Sequence, residues 1–384
     1  MSDPRVIAVL TTGRQDWGIL HSPCAAIEAH PRLSLRLLVG GMHLSARHGR
    51  TIEAIRSEGI EVATELDWLG DEAEPSAEAQ ASAALTLVAQ ALGAAPPDAL
   101  LLAGDRFETA AAALAATIRR VPIAHLHGGE QTLGAFDDAL RHAITKLAHL
   151  HLVSHDEHAR RVLAMGEDPA TVHVVGSPGL DAASRPDIPG RDELAASLGI
   201  DLRTPVVVVT VHPATLDPDP AAIVDAVSAA MDEVPATYVI TLPNVDPGGE
   251  QVRDRLLAAA ARPDRAVVEA LGTRRYWGLL RVADAMLGNS SSGIAEAPAV
   301  GLPAVNVGDR QQGRRRENNV IDVPAEPAAI AAALREALDP LTRDRIRAAV
   351  PPLADGRAGA RIADMLAAWR PSIPPRKAPV RLPS

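Results

Sequence analysis

The chain of 384 residues has little of several features that would mark particular classes of protein. Cys24 is its only cysteine, which excludes an intrachain disulfide framework and a cysteine-rich metal site. No uninterrupted apolar stretch is long enough to span a bilayer, and the N-terminal apolar run from Val6 to Leu10 is too short for a signal peptide. We therefore expect a cytoplasmic protein. Aromatic residues make up only 2% of the chain, which we attribute to compositional bias of the genome.

Positive charge is also in short supply. The chain carries 38 Lys and Arg against 48 Asp and Glu, a formal net charge of −10, which argues against a nucleic-acid or membrane partner. An anionic small ligand would have to bind at a local basic patch. Neither a Gly-x-Gly-x-x-Gly fingerprint nor a Gly-Lys-Ser/Thr phosphate-binding loop occurs, so we predict no dinucleotide cofactor and no P-loop hydrolysis.

Short apolar runs alternate with longer Ala- and Leu-rich stretches of helical period, such as residues 79–92 and 108–116. Such alternation predicts α/β architecture, with parallel sheets covered by helices on both faces. The predicted strands are Val6–Leu10, Leu35–Val39, Ala99–Ala103, Ile123–Leu126, Leu150–Ser154, Val172–Val175, Val206–Val211, Thr237–Leu242, Ala266–Val268, Ala285–Leu287 and Ala304–Val307.

A Pro- and Gly-rich stretch at mid-chain, residues 176–179 and 186–190, indicates a boundary between two domains. We predict an N-terminal Rossmann-like domain over residues 1–183, a C-terminal one over 184–368 and a flexible Pro-rich tail over 369–384. Two doubly wound domains that face one another bind ligands in the cleft at the carboxyl ends of their strands. The polar groups that follow the strands are expected to converge there.

The most informative segment is residues 288–293, Gly-Asn-Ser-Ser-Ser-Gly, which lies between an apolar run and a helical pattern. Its small residues, hydroxyls and helix-opening amides form an anion cradle. Glu296, one turn later, suits ribose hydroxyls better than a phosphate. We predict a nucleoside-diphosphate site here, and the alternative is a Ser-rich turn beside a solvated basic loop. The predicted site comprises Ser290, Ser291, Ser292, Gly293 and Glu296, with Arg310, Arg314, Arg315 and Arg316 supplying positive charge.

Carboxylates and histidines follow the predicted strands of the first half. Asp105 and Glu130 are candidates for acid/base chemistry, as is Asp137 at the start of a helix. Asp105 and Asp137 can instead cap helices, and Asp137 can pair with Arg141 at i,i+4. The further candidates for substrate contact in this half are Arg14, His43, Arg106 and His127.

In the second half, polar residues end two further strands. His212 precedes a proline that restricts the backbone beside it, which favours presentation of the imidazole to the cleft. Asn244 follows the next strand. The histidines between residues 149 and 158 lack the spacing of metal ligands, so we predict no metal site.

Long motifs from both halves resemble those of UDP-N-acetylglucosamine 2-epimerases. The resemblance covers nearly the whole chain, to about residue 370, and is strongest to the hydrolysing branch that feeds sialic and legionaminic acid synthesis. The matching runs are 104–106 (Gly-Asp-Arg), 127–130 (His-Gly-Gly-Glu), 137–146 (Asp-Asp-Ala-Leu-Arg-His-Ala-Ile-Thr-Lys), 212–213 (His-Pro), 288–293 and 308–311 (Gly-Asp-Arg-Gln).

The resemblance implies a glycosyltransferase-B-like fold that binds a UDP-sugar, mostly through its C-terminal domain. It also implies a homodimer or homotetramer that needs no cofactor. Carried over to this chain, the resemblance implies that the diphosphate is held by Ser291, Ser292 and Gly293 and the ribose by Glu296. It implies that Arg310 and Arg314 support the charge of the nucleotide and that His212 lies near the sugar and the diphosphate. The acid/base carboxylates that it implies are Asp105, Glu130 and Asp137.

The chemistry of that family removes the proton from C2, expels UDP from C1 to form a 2-acetamidoglycal, and adds water, which gives UDP and a free N-acetylmannosamine-type sugar. Many members have glutamate where this chain has His127, so here either Glu130 or His127 takes the proton. Two alternatives are a non-hydrolysing epimerase that releases UDP-N-acetylmannosamine and a retaining glycosyltransferase. The His-Gly-Gly-Glu run favours the hydrolysing enzyme. A non-enzymatic nucleotide-sugar sensor would have no use for three carboxylates at strand ends.

Overall fold

A computed structural model describes residues 3–70, 75–131, 137–213, 219, 221–242, 249–269, 271–372 and 375–377. The chain divides into two compact units, Met1–Asp181 with Asp355–Ser384, and Ala182–Ala354. Within the described residues, no helix has both the length and the apolarity needed to cross a membrane.

Each unit is built from parallel strands and the helices that connect them. The strands are β1 (Arg5–Thr11), β2 (Leu33–Gly40), β3 (Val62–Leu66), β4 (Ala99–Ala103), β5 (Ile123–Leu126), β6 (Leu150–Val153), β7 (Val172–Val174), β8 (Val206–Thr210), β9 (Thr237–Thr241), β10 (Arg265–Val268), β11 (Ala285–Gly288), β12 (Ala304–Val307) and β13 (Val320–Val323). The α-helices are α1 (Arg14–Ala29), α2 (Ile52–Ser57), α3 (Ala77–Ala94), α4 (Phe107–Arg119), α5 (Asp137–Leu147), α6 (Asp156–Ala164), α7 (Arg191–Leu198), α8 (Ala222–Glu233), α9 (Gly249–Ala259), α10 (Gly272–Val282), α11 (Ser292–Ala295), α12 (Pro327–Leu338), α13 (Pro340–Ala348) and α14 (Ala358–Ala368).

The first unit contains a parallel sheet in the order β3-β2-β1-β4-β5-β6-β7. All five residues of β4, Ala-Leu-Leu-Leu-Ala, are buried, as expected for a strand covered on both faces. One face packs against α1, α2 and α14, and the other against α3, α4 and α5. The order reverses between β1 and β4, and the carboxyl ends of strands at such a switch point are where ligands bind.

The second unit repeats this plan with the order β10-β9-β8-β11-β12-β13. Four valines and a threonine form β8, all of them buried. The helices α8, α9 and α12 cover one face of the sheet. Here the switch point lies between β8 and β11, so the residues that follow these two strands are placed for binding.

Two strands were not predicted from the sequence, β3 and β13. Each is the last strand at one edge of its sheet. In β3 the side chains alternate between partly buried and exposed, and β13 contains no fully buried residue. Neither segment therefore has the continuous apolar run that identified the central strands.

The C-terminal helix belongs to the first unit, which corrects the predicted end of the second domain from residue 368 to Ala354. Helix α14 packs against α1 at Gly359, where an added Cβ would lie 2.2 Å from Ser22 Oγ. The Asp181 carboxylate accepts from the Ala358 and Gly359 amides at 3.0 and 2.7 Å, and from Ser22 Oγ at 2.5 Å. Asp181 thus satisfies amides at the start of α14 that have no partner within the helix.

Part of the predicted tail is also anchored. The Lys377 ammonium donates to the Lys146 carbonyl at 2.7 Å and lies 2.7 Å from Glu167 Oε2. Helix carbonyls at a C-terminus lack partners within the helix, and α5 ends at Leu147. A lysine in the segment after α14 therefore has both a carboxylate and free carbonyls to bind, which the Pro-rich composition does not reveal.

Candidate active site

The carboxyl ends of β4 and β5 bring together the residues of two predicted runs. These strands are adjacent and parallel, so Asp105, after β4, lies beside the 127–130 loop after β5. Arg141 of α5 joins them: Nη2 donates to Asp105 Oδ2, and Nη1 lies 3.3 Å from Glu130 Oε2. The same Nη1 donates to the His127 carbonyl at 3.2 Å. The i,i+4 partner expected for Asp137 is therefore engaged by two other carboxylates.

The Glu130 carboxylate is held by three side chains. Oε1 accepts from His127 Nδ1 at 2.6 Å and from Ser154 Oγ at 2.9 Å, while Oε2 faces Arg141. Burial alone would raise the pKa of Glu130, but the charge of His127 when protonated and its hydrogen bond, together with His158 and Arg141, lower the pKa well below its usual range. Glu130 is therefore ionised at neutral pH and acts as an acceptor.

His127 is buried in a left-handed conformation, φ 61°, which directs its imidazole toward Glu130. A neutral imidazole that donates from Nδ1 carries its lone pair on Nε2. The Nε2 atom is buried and has no hydrogen-bond partner among the residues that the structure describes. A carboxylate that orients a histidine in this way prepares the far ring nitrogen to accept a proton.

Asp105 has the opposite electrostatic character. Burial raises its pKa; the Arg141 charge opposes this rise, and the charges of Asp137 and Glu130 add to it. Two neighbouring carboxyl groups whose pKa values move apart are suited to different roles in proton transfer. His125, on β5, is buried, and burial lowers its pKa to about 3, so its imidazole is neutral. Its Nε2 atom lies 2.8 Å from the Gly104 carbonyl and supports the turn after β4.

Three further predicted residues of the first unit have different surroundings. Arg106 pairs with Glu108, with Nη2 and Oε1 2.5 Å apart. Arg14 is exposed as the first residue of α1. His43, expected to contact substrate, is instead fully buried: Nε2 lies 2.9 Å from Thr11 Oγ1 and Nδ1 2.7 Å from Thr51 Oγ1. Both of its ring nitrogens are thereby used to fix the loop after β2.

Asp16 is a residue of this region that the sequence analysis missed. Its carboxylate accepts from the Thr11 and Thr12 hydroxyls at 2.8 Å each, from the Thr12 amide at 2.8 Å and from the Gly13 amide at 3.0 Å. It therefore fixes the turn from β1 into α1. The available signal was its position, third in a helix that follows glycine, where a carboxylate reaches back to the backbone of the cap.

In the second unit, Asn289 joins the ends of the two strands at the switch point. Its side chain accepts from the His212 amide at 2.7 Å and donates to the His212 carbonyl at 2.9 Å. The preceding Gly288 has φ 136°, and an added Cβ would lie 2.0 Å from the Thr210 carbonyl oxygen. His212 and the serine turn are thus held side by side by backbone approach that only glycine permits.

The predicted helix after the serine turn is a single turn. Helix α11 ends at Ala295, and a 3₁₀ helix, Ala297–Val300, follows because Pro298 cannot continue the α-helical hydrogen bonds. Glu296 lies at the junction. Burial raises its pKa, against the Ser292 hydrogen bond and the Arg314 charge. Its Oε2 atom is buried with no hydrogen-bond partner in the described part of the chain, which leaves an acceptor for a ligand hydroxyl.

Tyr276, on α10, is a second residue that the sequence analysis missed, because one aromatic residue in a helical pattern is typical of a core. Its hydroxyl contacts Ser292 Oγ. Arg310 Nη1 and Gln311 Nε2 both donate to the Asn289 carbonyl, at 3.2 and 2.9 Å. These contacts connect the serine turn to α10 and to the loop after β12.

Two of the four predicted arginines pair with carboxylates in the described part of the chain. Arg315 pairs with Glu317 at 2.9 Å, and Arg316 lies 2.8 Å from Asp322. Arg310 and Arg314 are exposed beside the serine turn. Asn244, the remaining candidate, lies outside the described residues.

Comparison with known proteins identifies the family. A family model described as UDP-N-acetylglucosamine 2-epimerase matches residues 25–367. The chain is 34% identical over 337 residues to the UDP-N,N'-diacetylbacillosamine 2-epimerase (hydrolyzing) of Legionella pneumophila, with 87% of this chain and 89% of the relative covered. It is 31% identical over 333 residues to the UDP-N-acetylglucosamine 2-epimerase of Neisseria meningitidis serogroup B, with 86% and 87% covered.

Solved structures share the architecture. The crystal structure of the Neisseria meningitidis UDP-GlcNAc 2-epimerase bound to UDP-GlcNAc matches with a TM-score of 0.76 and 17% identity, over 94% of this chain and 99% of that one. CalG4, the calicheamicin glycosyltransferase, matches with a TM-score of 0.57 and 17% identity, over 96% and 98%. The predicted glycosyltransferase-B-like pair of parallel-sheet α/β domains is thereby confirmed. With a family model that spans most of its length, the chain belongs to the UDP-N-acetylglucosamine 2-epimerase family.

Proposed function

We propose that the protein is a hydrolysing UDP-sugar 2-epimerase, which converts UDP-N-acetylglucosamine or a 2,4-diacetamido relative and water to UDP and the free 2-epimeric sugar. The observation that carries this proposal is the cluster at the ends of β4 and β5. In it, an ionised Glu130 orients His127 while Asp105, 25 residues before Glu130 in the chain, has a raised pKa. The L. pneumophila relative, named as a hydrolysing 2-epimerase, supports the same outcome.

Proton transfer at C2 is the step that this cluster supports best. Both Glu130 oxygens face side-chain donors, so we assign the C2 proton to His127 Nε2, and Glu130 stabilises the imidazolium that results. The electron pair of the C2–H bond forms the glycal double bond as the C1–O bond breaks and UDP leaves. Asp105, when protonated, suits the return of a proton to C2 from the other face, and the glycal electron pair forms the new C2–H bond. The oxygen of water then bonds to C1, the proton that water loses restores Asp105, and His127 releases its proton to solvent.

UDP binding is proposed for the second unit. The serine turn, residues 290–293, would hold the diphosphate, and Arg310 and Arg314 would stabilise its growing charge as it departs. The buried Glu296 Oε2 would accept from a ribose hydroxyl. His212, whose backbone amide donates to the Asn289 side chain, is proposed to lie between the diphosphate and the sugar.

Incubation with each UDP-sugar in deuterated water tests this function. The proposal requires deuterium at C2 of a free sugar together with UDP. Deuterium in an intact UDP-sugar would instead identify a non-hydrolysing epimerase, and UDP release only upon addition of an acceptor would identify a glycosyltransferase. The ratio of kcat/KM for the monoacetamido and diacetamido substrates assigns the preferred sugar.

The Asp105→Asn variant tests the assignment within the cluster. Asparagine cannot deliver a proton, so turnover should fall at least about 100-fold. UDP affinity, measured by calorimetry, should stay near that of the wild type because the nucleotide contacts lie on other residues. Wild-type turnover by this variant would remove Asp105 from the mechanism.

A further inference from the structure

Helix α6 packs directly against the His-Gly-Gly-Glu loop. Gly129 has φ 76°, and an added Cβ would lie 2.4 Å from the His158 carbonyl oxygen and 2.9 Å from a Val162 methyl. The Arg161 guanidinium, on the same helix, donates to the Gly129 carbonyl. The loop that carries His127 and Glu130 is therefore fixed from the side of α6 as well as from α5.

A chain of hydrogen bonds connects α6 to the Glu130 carboxylate. Ser154, after β6, donates from Oγ to Glu130 Oε1 at 2.9 Å. His158 Nδ1 lies 2.9 Å from the same Ser154 Oγ and 3.9 Å from Glu130 Oε1. Oε1 also accepts from His127 Nδ1, so two histidines reach one carboxylate oxygen, one directly and one through a hydroxyl.

Counting protons assigns the direction of each bond. An ionised carboxylate only accepts, so both His127 Nδ1 and Ser154 Oγ donate to it. A serine hydroxyl has one proton, and Ser154 uses this proton in its hydrogen bond to Glu130. The bond between Ser154 and His158 therefore requires a proton on His158 Nδ1. The sequence of donors is His158 Nδ1–H to Ser154, and Ser154 O–H to Glu130.

We propose that Ser154 and His158 are positioning residues for the proton transfer at C2. They keep the Glu130 carboxylate ionised and directed at His127 Nδ1, and this leaves His127 Nε2 as the atom that takes the proton. The inference rests on the function proposed above. Both residues belong to the first unit, whereas the serine turn that would bind UDP belongs to the second.

Loss of the Ser154 donor has two expected effects. The ionised form of Glu130 loses one of its hydrogen bonds, so its pKa rises toward the ordinary value. Because His127 is the proton acceptor, a carboxylate with one donor fewer holds the imidazolium proton more strongly, and the acidic limb of the kcat profile moves to higher pH. The charged and titratable groups that face this hydrogen-bond chain are Asp105, His127, Arg141, His155 and Arg161, and the substitutions proposed here leave all five in place.

Four variants form two matched pairs. Ser154→Ala removes the hydroxyl, and Ser154→Thr keeps it; His158→Leu removes the Nδ1 donor, and His158→Asn places an amide donor near the same position. Ser57→Ala is the control, because Ser57 is exposed at the end of α2 and donates to the Ala54 carbonyl of the same helix. Circular dichroism and urea unfolding establish that each variant is folded.

We expect Ser154→Ala and His158→Leu to lower kcat about tenfold, the scale of one hydrogen bond to an ionised group. KM should stay within about twofold, and the acidic limb should move up in pH, because these residues act through Glu130 and not on the nucleotide. Ser154→Thr and His158→Asn should recover most of the rate. An unchanged kcat and acidic limb in Ser154→Ala, or an effect on KM alone, would overturn the proposal.

A second readout separates this inference from the proposed function. Nitrogen-15 NMR of labelled histidine reports which ring nitrogen carries the proton, with or without turnover. Protons on Nδ1 of both His127 and His158 in the wild type, with that of His127 redistributed in Ser154→Ala, support the inference. A proton found on His158 Nε2 alone refutes it. Failure of the wild type to release UDP from any UDP-sugar refutes the proposed function and leaves the NMR result to decide this one.

Discussion

Replacement of Glu130 by glutamine changes one atom at the centre of the cluster. The glutamine amide has one acceptor oxygen and one donor nitrogen, whereas the carboxylate accepts at both oxygens. If the amide oxygen faces His127 and Ser154, the NH₂ group faces Arg141 Nη1 across 3.3 Å, donor against donor. If the amide is reversed, two donors at 2.6 and 2.9 Å lose their acceptor. Neither orientation satisfies the site.

The magnitude follows from the number of bonds lost. Each hydrogen bond to a charged group contributes roughly 1.5–3 kcal/mol, and the Glu130 side chain is 29% exposed, so we take the lower part of that range for Arg141. The expected loss in unfolding free energy is about 2 kcal/mol. The effect on turnover is larger, because a neutral amide no longer stabilises the His127 imidazolium, and kcat should fall by about 100-fold or more.

Urea unfolding and initial-rate measurements of UDP release test both values. Glu53→Gln is the matched control, because Glu53 pairs with Arg56 at 2.9 Å on the surface of the same unit and should change neither quantity appreciably. A Glu130→Gln variant that keeps wild-type kcat would refute the role of the ionised carboxylate. So would a loss of kcat fully explained by the fraction of unfolded protein.

Two further predictions concern stability. Gly288→Ala should lower the unfolding free energy by about 3 kcal/mol or more, because the added Cβ would lie 2.0 Å from the Thr210 carbonyl oxygen. Gly199 has φ 67° but open space around it, so Gly199→Ala should lower the unfolding free energy by only about 1 kcal/mol. Equal losses for the two variants in urea unfolding would contradict this argument. Glu167 is buried, which raises its pKa, but hydrogen bonds from His151, Lys146 and Lys377 outweigh burial and lower the pKa to about 2. Its contribution of about 3 kcal/mol is then present above the unfolded-state pKa and is lost as pH falls toward 2. Glu167→Gln should flatten the decline in stability over that acid range, and an unchanged decline in thermal unfolding curves would show that Glu167 does not cause it.

The central part of the fold could be predicted from the sequence because parallel strands buried on both faces are continuous apolar runs. The apolar runs at β4 and β8 are of this kind and were predicted as strands. The edge strands β3 and β13 could not be predicted from the sequence, because a half-exposed strand carries charged residues such as Glu65 and Asp322. The return of α14 to the first unit depends on Asp181 binding amides 177 and 178 residues away, and no local pattern encodes such a contact.

The candidate site was predictable to a similar extent. Residues that follow adjacent parallel strands meet at one edge, so the proximity of Asp105 and Glu130 follows from the order of the chain. The choice between Glu130 and His127 as proton acceptor could not be made, because it depends on which donors surround each carboxylate oxygen. Ser154 and His158 belong to no motif, and only the packing of α6 connects them to the cluster. The expected homo-oligomeric state stays a prediction.

The anchoring of α14 by Asp181 has a consequence for how the polypeptide is made. The first unit is interrupted in the chain by the second, so its last helix leaves the ribosome only after residues 182–354 have been synthesised. During that interval the apolar cluster that includes α1 lacks Ile362 and Leu366 of α14, and incompletely covered apolar surface is a condition under which nascent chains engage chaperones. A circular permutant that begins at residue 355 would supply this helix first and should shorten the exposed interval.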